Sequence, residues 1–131
     1  MKIGEVAAKL DVSVDTLRYY EKIGLIRQVA RSSGKRNYSN TDIIWLEFIQ
    51  RLKETGMPLQ EIERYAHLRY AGDRTIPERK TMLQKHRKSL LKKLEKLQEN
   101  LKALDVKIKI YKEKEEKHES LSSRAEKAHR D

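Results

Sequence analysis

The chain has 131 residues, of which 38% are charged and 37% hydrophobic; 30 Lys and Arg oppose 20 Asp and Glu, for a formal net charge of +10. A basic balance of this size favours a polyanionic partner, either nucleic acid or an acidic membrane face. The absence of cysteine excludes disulfides, thiolate zinc sites, iron–sulfur clusters and thiol nucleophiles.

No apolar run approaches the roughly 20 residues of a membrane span, and the N-terminus lacks a signal-peptide core, so a cytoplasmic protein without a membrane partner is expected. The charge is uneven. Residues 1–40 carry 8 basic and 4 acidic side chains, residues 41–77 carry 5 and 6, and residues 78–131 carry 17 and 10. A basic head, a near-neutral middle and a highly charged tail point to separate tasks. The two prolines, Pro58 and Pro77, mark segment boundaries.

In chain order, IGEVAAKL places Ile3, Val6, Ala7 and Leu10 on one helical face. The DVSV break follows, where Asp11 tolerates a tight turn and Ser13 can cap a second helix. That helix, VDTLRYYEKIG, turns Val14 and Leu17 inward and stops at Gly24. Two short helices joined by about four residues make a helix-turn-helix. On these features alone, DNA binding and a plain helical hairpin fit equally.

LIRQVAR and KRNYS then flank SSG, a hairpin whose turn Gly34 permits. Arg27, Arg31, Lys35 and Arg36 crowd this small ribbon, with Tyr38 at its end. Charges on a hairpin edge can simply protect it from aggregation. Directly after a helix-turn-helix, a wing that grips phosphates is the better reading.

A third helix is expected from about Asp42 to Thr55, capped from Ser39 to Thr41. Its broad apolar face comprises Ile43, Ile44, Trp45, Leu46, Phe48, Ile49 and Leu52. Trp45 and Phe48 read as core. Pro58 opens a fourth helix, LQEIERYAHLRY, with Gly72 near its stop.

Beyond Glu78, Leu90, Leu94, Leu97, Leu101, Leu104, Ile108 and Tyr111 alternate in steps of four and three. Leu83 extends the register backward, with Arg87 at one seam position. This 3.5-residue repeat specifies a coiled-coil stripe. From Leu83 to His118 the helix would span about 54 Å at 1.5 Å per residue. No other segment can cover it, so the economical partner is a second copy, a homodimer. At roughly 1.5–3 kcal/mol per fully buried side chain, an upper bound, the seam is ample for a stable dimer. After His118 the apolar period lapses, and a disordered polar tail is expected over residues 119–131.

The segments IGEVAAKLDVSVDTLRYYEKIGLI, GKRNYS and DIIWLEFIQRLKETGMPLQEI resemble the MerR family of bacterial transcription regulators, closely over residues 1–70. The resemblance implies a mainly α fold: a winged helix-turn-helix DNA-binding domain with two further helices over residues 1–76, then a dimerisation helix over 77–118 that forms an antiparallel coiled coil in the dimer. It also implies binding to an inverted-repeat operator on double-stranded DNA in an overlong promoter spacer. The dimer would bend and untwist that DNA so that RNA polymerase reads both promoter elements. By resemblance, Ser13, Thr16, Arg18 and Tyr19 belong to the recognition helix and its N-terminal end. Arg31, Lys35, Arg36, Asn37 and Tyr38 belong to the wing, Arg36 and Tyr38 being the phosphate contacts. Tyr20 is either a contact or packing. Such a protein would be nucleoid-associated in the cytoplasm.

The segment AGDRTIPERK is similar to a subgroup linked to aldehyde or electrophile stress. Some of its members carry a cysteine on the third helix, about where Arg51 stands here. Without that thiol, direct electrophile capture is not expected, and neither is a thiolate metal sensor. His67, His86, His118 and His129 are too dispersed for a metal site and read as solvated. No cofactor and no separate C-terminal ligand domain are expected. A small effector pocket would have Tyr65, Arg69 and Tyr70 as walls, its ligand unknown. Nothing offers the constellation of an enzyme. The competing reading is a coiled-coil architectural protein that binds DNA nonspecifically, discriminated by sequence preference at moderate salt.

Overall fold

The structure, a computed structural model, describes the backbone of residues 1–130 and the side chains of residues 1–124. Helix α1 (Ile3–Leu10) buries Val6, Ala7 and Leu10 and closes at Asp11, whose φ of 54° lies in the left-handed region. Asp is among the few side chains that tolerate this turn. Helix α2 (Val14–Lys22) starts from the Ser13 cap and buries Leu17 and Tyr20. Gly24, at φ 80°, supplies the turn out of it.

A two-stranded antiparallel ribbon follows, β1 (Arg31–Ser32) and β2 (Lys35–Arg36). Its two-residue turn, Ser33–Gly34, has positive φ at both positions, the primed turn whose twist suits a hairpin. Helix α3 (Asn40–Glu54) begins two residues before the expected Asp42. The reason is a reciprocal capping box: Ser39 accepts from the Asp42 amide while Asp42 accepts from the Ser39 amide.

Helix α3 organises the head. Ile43, Trp45, Leu46, Ile49 and Leu52 are buried, whereas Ile44, expected on the same face, is exposed. The Trp45 indole N–H donates to the Leu25 carbonyl at 2.7 Å, and the Gln50 amide donates to the Leu10 carbonyl at 2.6 Å. These bonds hold α3 to the end of α1 and to the segment that follows α2. Helix α4 (Leu59–Ala71) buries Ile62, Tyr65 and Ala66 and ends at Gly72, φ 105°. The Thr75 hydroxyl bridges the Leu68 and Gly72 carbonyls, which fixes the tight turn into α5 (Ile76–Arg130).

The head is one compact unit over residues 1–90, and the second unit begins at Leu91. The head reaches into α5 because Met82 and Leu83 pack against its core. Leu83, read from the heptads as the first seam residue, is therefore a head residue as well. Leu90, Leu94, Leu97, Leu101, Leu104, Ile108 and Tyr111 are all exposed, Leu97 at 65%.

The backbone of α5 runs on through residues 119–130 instead of ending near His118. No Gly or Pro follows Pro77 to break it. Asp131 and the side chains from residue 125, His129 included, lie outside the described residues. Among the described residues no helix is long and apolar enough to cross a membrane.

Candidate nucleic-acid interface

The recognition element is built from its cap outward. The Ser13 hydroxyl accepts from the Thr16 amide at 3.0 Å and lies 2.8 Å from the Thr16 hydroxyl. Both candidate groups thus define the N-terminus of α2, where unpaired amides and the helix dipole favour an anion. One turn on, Arg18 is exposed and loosely paired with Asp15 at 3.4 Å, a contact of little energetic weight at the surface. Tyr19 beside it is 48% exposed. Tyr20 faces the other way into the core, its ring under the Lys53 ammonium at 5.7 Å. Of the two roles open to Tyr20, the structure gives it packing.

The wing differs from its sequence reading in three places. Tyr38 is only 2% exposed, and its buried hydroxyl has no hydrogen-bond partner among the described residues. Burial pushes that phenol above its ordinary value, partly offset by Arg36. In this fold Tyr38 is a core residue under the wing. The ribbon ends at Arg36, two residues before it.

Arg36 is also engaged. Its guanidinium is ion-paired with Glu21 of α2, the two side chains being 22% and 23% exposed, and Arg31 approaches the other oxygen of the same carboxylate at 3.6 Å. Asn37 is tied to the start of the chain, where its side-chain oxygen accepts from the Met1 amino group at 2.8 Å. The Tyr38 amide donates to the Met1 carbonyl at the same distance. Lys35, at the exposed tip, has no ion pair among the described residues. Sequence reasoning missed Glu21. The signal for it was indirect, since two arginines that become cross-strand neighbours need a counter-charge.

The three candidate effector walls do not share one space. Tyr65 and Arg69 line a cavity of about 370 Å³ with Ile44, Trp45 and Phe48. The rings of Trp45, Phe48 and Tyr65 lie within 6.4 Å of one another, and the Arg69 guanidinium sits 4.2 Å from the Trp45 ring centroid. Tyr70 does not line this cavity; its hydroxyl accepts from the Arg27 amide at 2.9 Å. His86 is not solvated, because its Nε2 lies 2.7 Å from the Thr55 hydroxyl. No cluster of three potential metal ligands occurs among the described residues.

Residues 1–68 match the family described as MerR HTH family regulatory protein, and residues 43–106 match MerR, DNA binding. An HTH-type transcriptional regulator of Haemophilus influenzae is 36% identical over 108 residues, covering 82% of this chain and 80% of that protein. The HTH-type transcriptional regulator AdhR of Bacillus subtilis is 40% identical over 92 residues, 70% of this chain and 66% of that one. Among solved structures, a MerR-family regulator from Listeria monocytogenes is 35% identical with a TM-score of 0.78, covering 85% of each chain. HiNmlR, a MerR family regulator lacking the sensor domain and bound to promoter DNA, is 34% identical with a TM-score of 0.77. That match covers 86% of this chain and 90% of that one. A capped helix with an exposed Arg18–Tyr19 pair, a basic ribbon beside it and these matches agree: the chain belongs to the MerR family of helix-turn-helix transcription regulators.

Proposed function

We propose that this regulator acts as a homodimer on an inverted-repeat operator within a promoter spacer, distorting the duplex so that RNA polymerase can engage both promoter elements. The observation that carries this reading is the exposed Arg18 and Tyr19 of α2, the helix to whose Glu21 the basic wing is ion-paired. It is supported by the likeness to HiNmlR, which is bound to promoter DNA. The DNA contacts are Ser13, Thr16, Arg18 and Tyr19, with Lys35, Arg31 and Arg36 of the wing. The exposed Asn37 joins them, and the buried Tyr38 supports the wing from beneath. The dimer is held by the row from Leu90 to Tyr111, whose exposure in one chain calls for a cover, and the two α5 helices run antiparallel. The protein works in the cytoplasm on nucleoid DNA. Any small effector would enter the cavity beside Tyr65 and Arg69, through which the head can be biased.

The test is a footprint of the purified protein on its own upstream promoter region. Protection of an inverted repeat in the spacer, with enhanced cleavage at its centre, is the expected result. Diffuse protection that vanishes as salt rises, with no preferred site elsewhere in the genome, would replace the operator reader with an architectural binder.

A further inference from the structure

The wing has only two residues in each strand, and a hairpin that short has no stability of its own in water. Its register makes matters worse, because Arg31 and Arg36 are directly opposite partners, and like charges in that relation repel. Two outside attachments hold the ribbon. One is the start of the chain, where Lys2 bridges Asn37 and Met1 bonds Tyr38. The other is Glu21, whose two carboxylate oxygens take Arg36 and Arg31 separately. Glu21 sits on α2, only two residues from the exposed Tyr19 and three from Arg18.

We infer that Glu21 is a positioning residue for DNA recognition: its carboxylate locks the wing to the recognition helix, so that both meet the duplex in one fixed relation, and it withholds Arg31 and Arg36 from indiscriminate phosphate contact. The inference rests on the operator reading above. Its physical content is an exchange of charge partners. With Glu21 ionised, the two guanidiniums are partly neutralised, and the partly buried pair with Arg36 is screened less than a surface pair. Without it, both arginines repel each other, the ribbon loosens, and each can find a phosphate on any sequence. Every further phosphate neutralised steepens the fall of log affinity with log salt by about 0.9. Phosphate contacts position, and they carry no sequence information. Losing the lock therefore exchanges specificity for nonspecific grip.

The experiment compares wild type, Glu21→Gln, Arg36→Gln and the double variant as full chains. Each is titrated on the footprinted operator and on a scrambled duplex of equal length, across a salt series. Amide hydrogen exchange of residues 31–36 is followed in the free proteins. The expected result for Glu21→Gln is faster exchange in the ribbon, at least a tenfold fall in the operator-to-scrambled affinity ratio, and a steeper salt slope on the scrambled duplex. The double variant should lose less discrimination than the two single losses combined, because part of the effect of Glu21 runs through that arginine. A merely structural role would lower the melting temperature and leave the ratio unmoved, which overturns the inference, as would unchanged ribbon exchange. If Glu21→Gln fails to fold, Glu21→Asp carries the same test: it keeps the charge on a shorter arm that cannot serve both arginines. A wild type with no preference between the duplexes overturns the operator reading and this inference with it. A wild type that discriminates, beside a variant that discriminates equally well, overturns the lock alone.

Discussion

Arg18 and Tyr38 bear opposite burdens, although both stand in the segments that carry the family resemblance. Arg18 is exposed, with only a 3.4 Å contact to Asp15 to hold it, so nothing in the head depends on it. Arg18→Ala should leave the fold and the dimer intact and weaken operator binding about five- to 150-fold, as expected for a base-edge contact of about 1–3 kcal/mol. A gel-shift titration with unchanged affinity would remove it from the interface. Tyr38 is the reverse case. Its ring is buried and its hydroxyl unpaired, and an unpaired buried polar group costs about 1–3 kcal/mol. Tyr38→Phe should therefore be neutral or stabilising in thermal melts, with operator affinity unchanged. The pH dependence follows from the same burial. The folded phenol titrates above its ordinary value of 10.0, so the unfolded chain loses its proton first. The contribution of Tyr38 to stability is complete below pH 10 and is lost as pH rises through the folded value. Alkaline unfolding of Tyr38→Phe should accordingly begin at higher pH than that of wild type. A large loss of DNA affinity in this variant would return Tyr38 to the contact surface.

Elements whose logic is local could be read from the sequence. Spacing in IGEVAAKL and VDTLRYYEK, the cap at Ser13, the tolerance of Asp11 for a left-handed turn and the glycines at 24, 34 and 72 all express rules acting within four or five residues, and the structure follows them. What escaped the sequence was long-range. Glu21 and Arg36 are 15 positions apart, Arg27 and Tyr70 43 apart, and neither pairing has a periodic signature. The burial of Tyr38, just past a two-residue strand, has no periodic signature either. The seam shows both sides of this. Its heptads were legible from Leu90 onward, yet Leu83 carries the same register and packs on the head. Val106 and Ile110 are exposed off that register, at about 200° and 240° from Leu104 at 100° per residue. The division at Leu83 is testable. Leu83→Ala should lower the stability of the head by about 2 kcal/mol and leave the dimer associated. Leu97→Asp with Leu101→Asp should yield a folded monomer in sedimentation, because both side chains are exposed in the single chain. A double variant that still sediments as a dimer would refute the seam.

At the scale of the whole molecule, the charge of +10 favours any duplex, and in the proposed dimer the pairing of heads would supply the choice among sequences. One head presents a single recognition helix and a wing of two residues per strand, too few contacts for discrimination against a genome of competing sites. In the proposed dimer, two heads related by a twofold axis would read two half-sites, their separation along and around the duplex fixed by the dimer. Inserting five base pairs at the operator centre rotates one half-site by about half a helical turn, so that it faces away from its head. Binding should then fall to that of an isolated half-site, about a hundredfold or more weaker, while the affinity for a scrambled duplex is untouched. The monomeric Leu97→Asp, Leu101→Asp variant should bind the original and the expanded operators equally, since it reads each half-site alone. If wild type also tolerated the insertion, phase would be irrelevant to it, and the two heads would not be acting as one reader. The insertion thus separates the two sources of affinity that net charge alone confuses: attraction to phosphate survives any change of phase, and recognition by a twofold dimer does not.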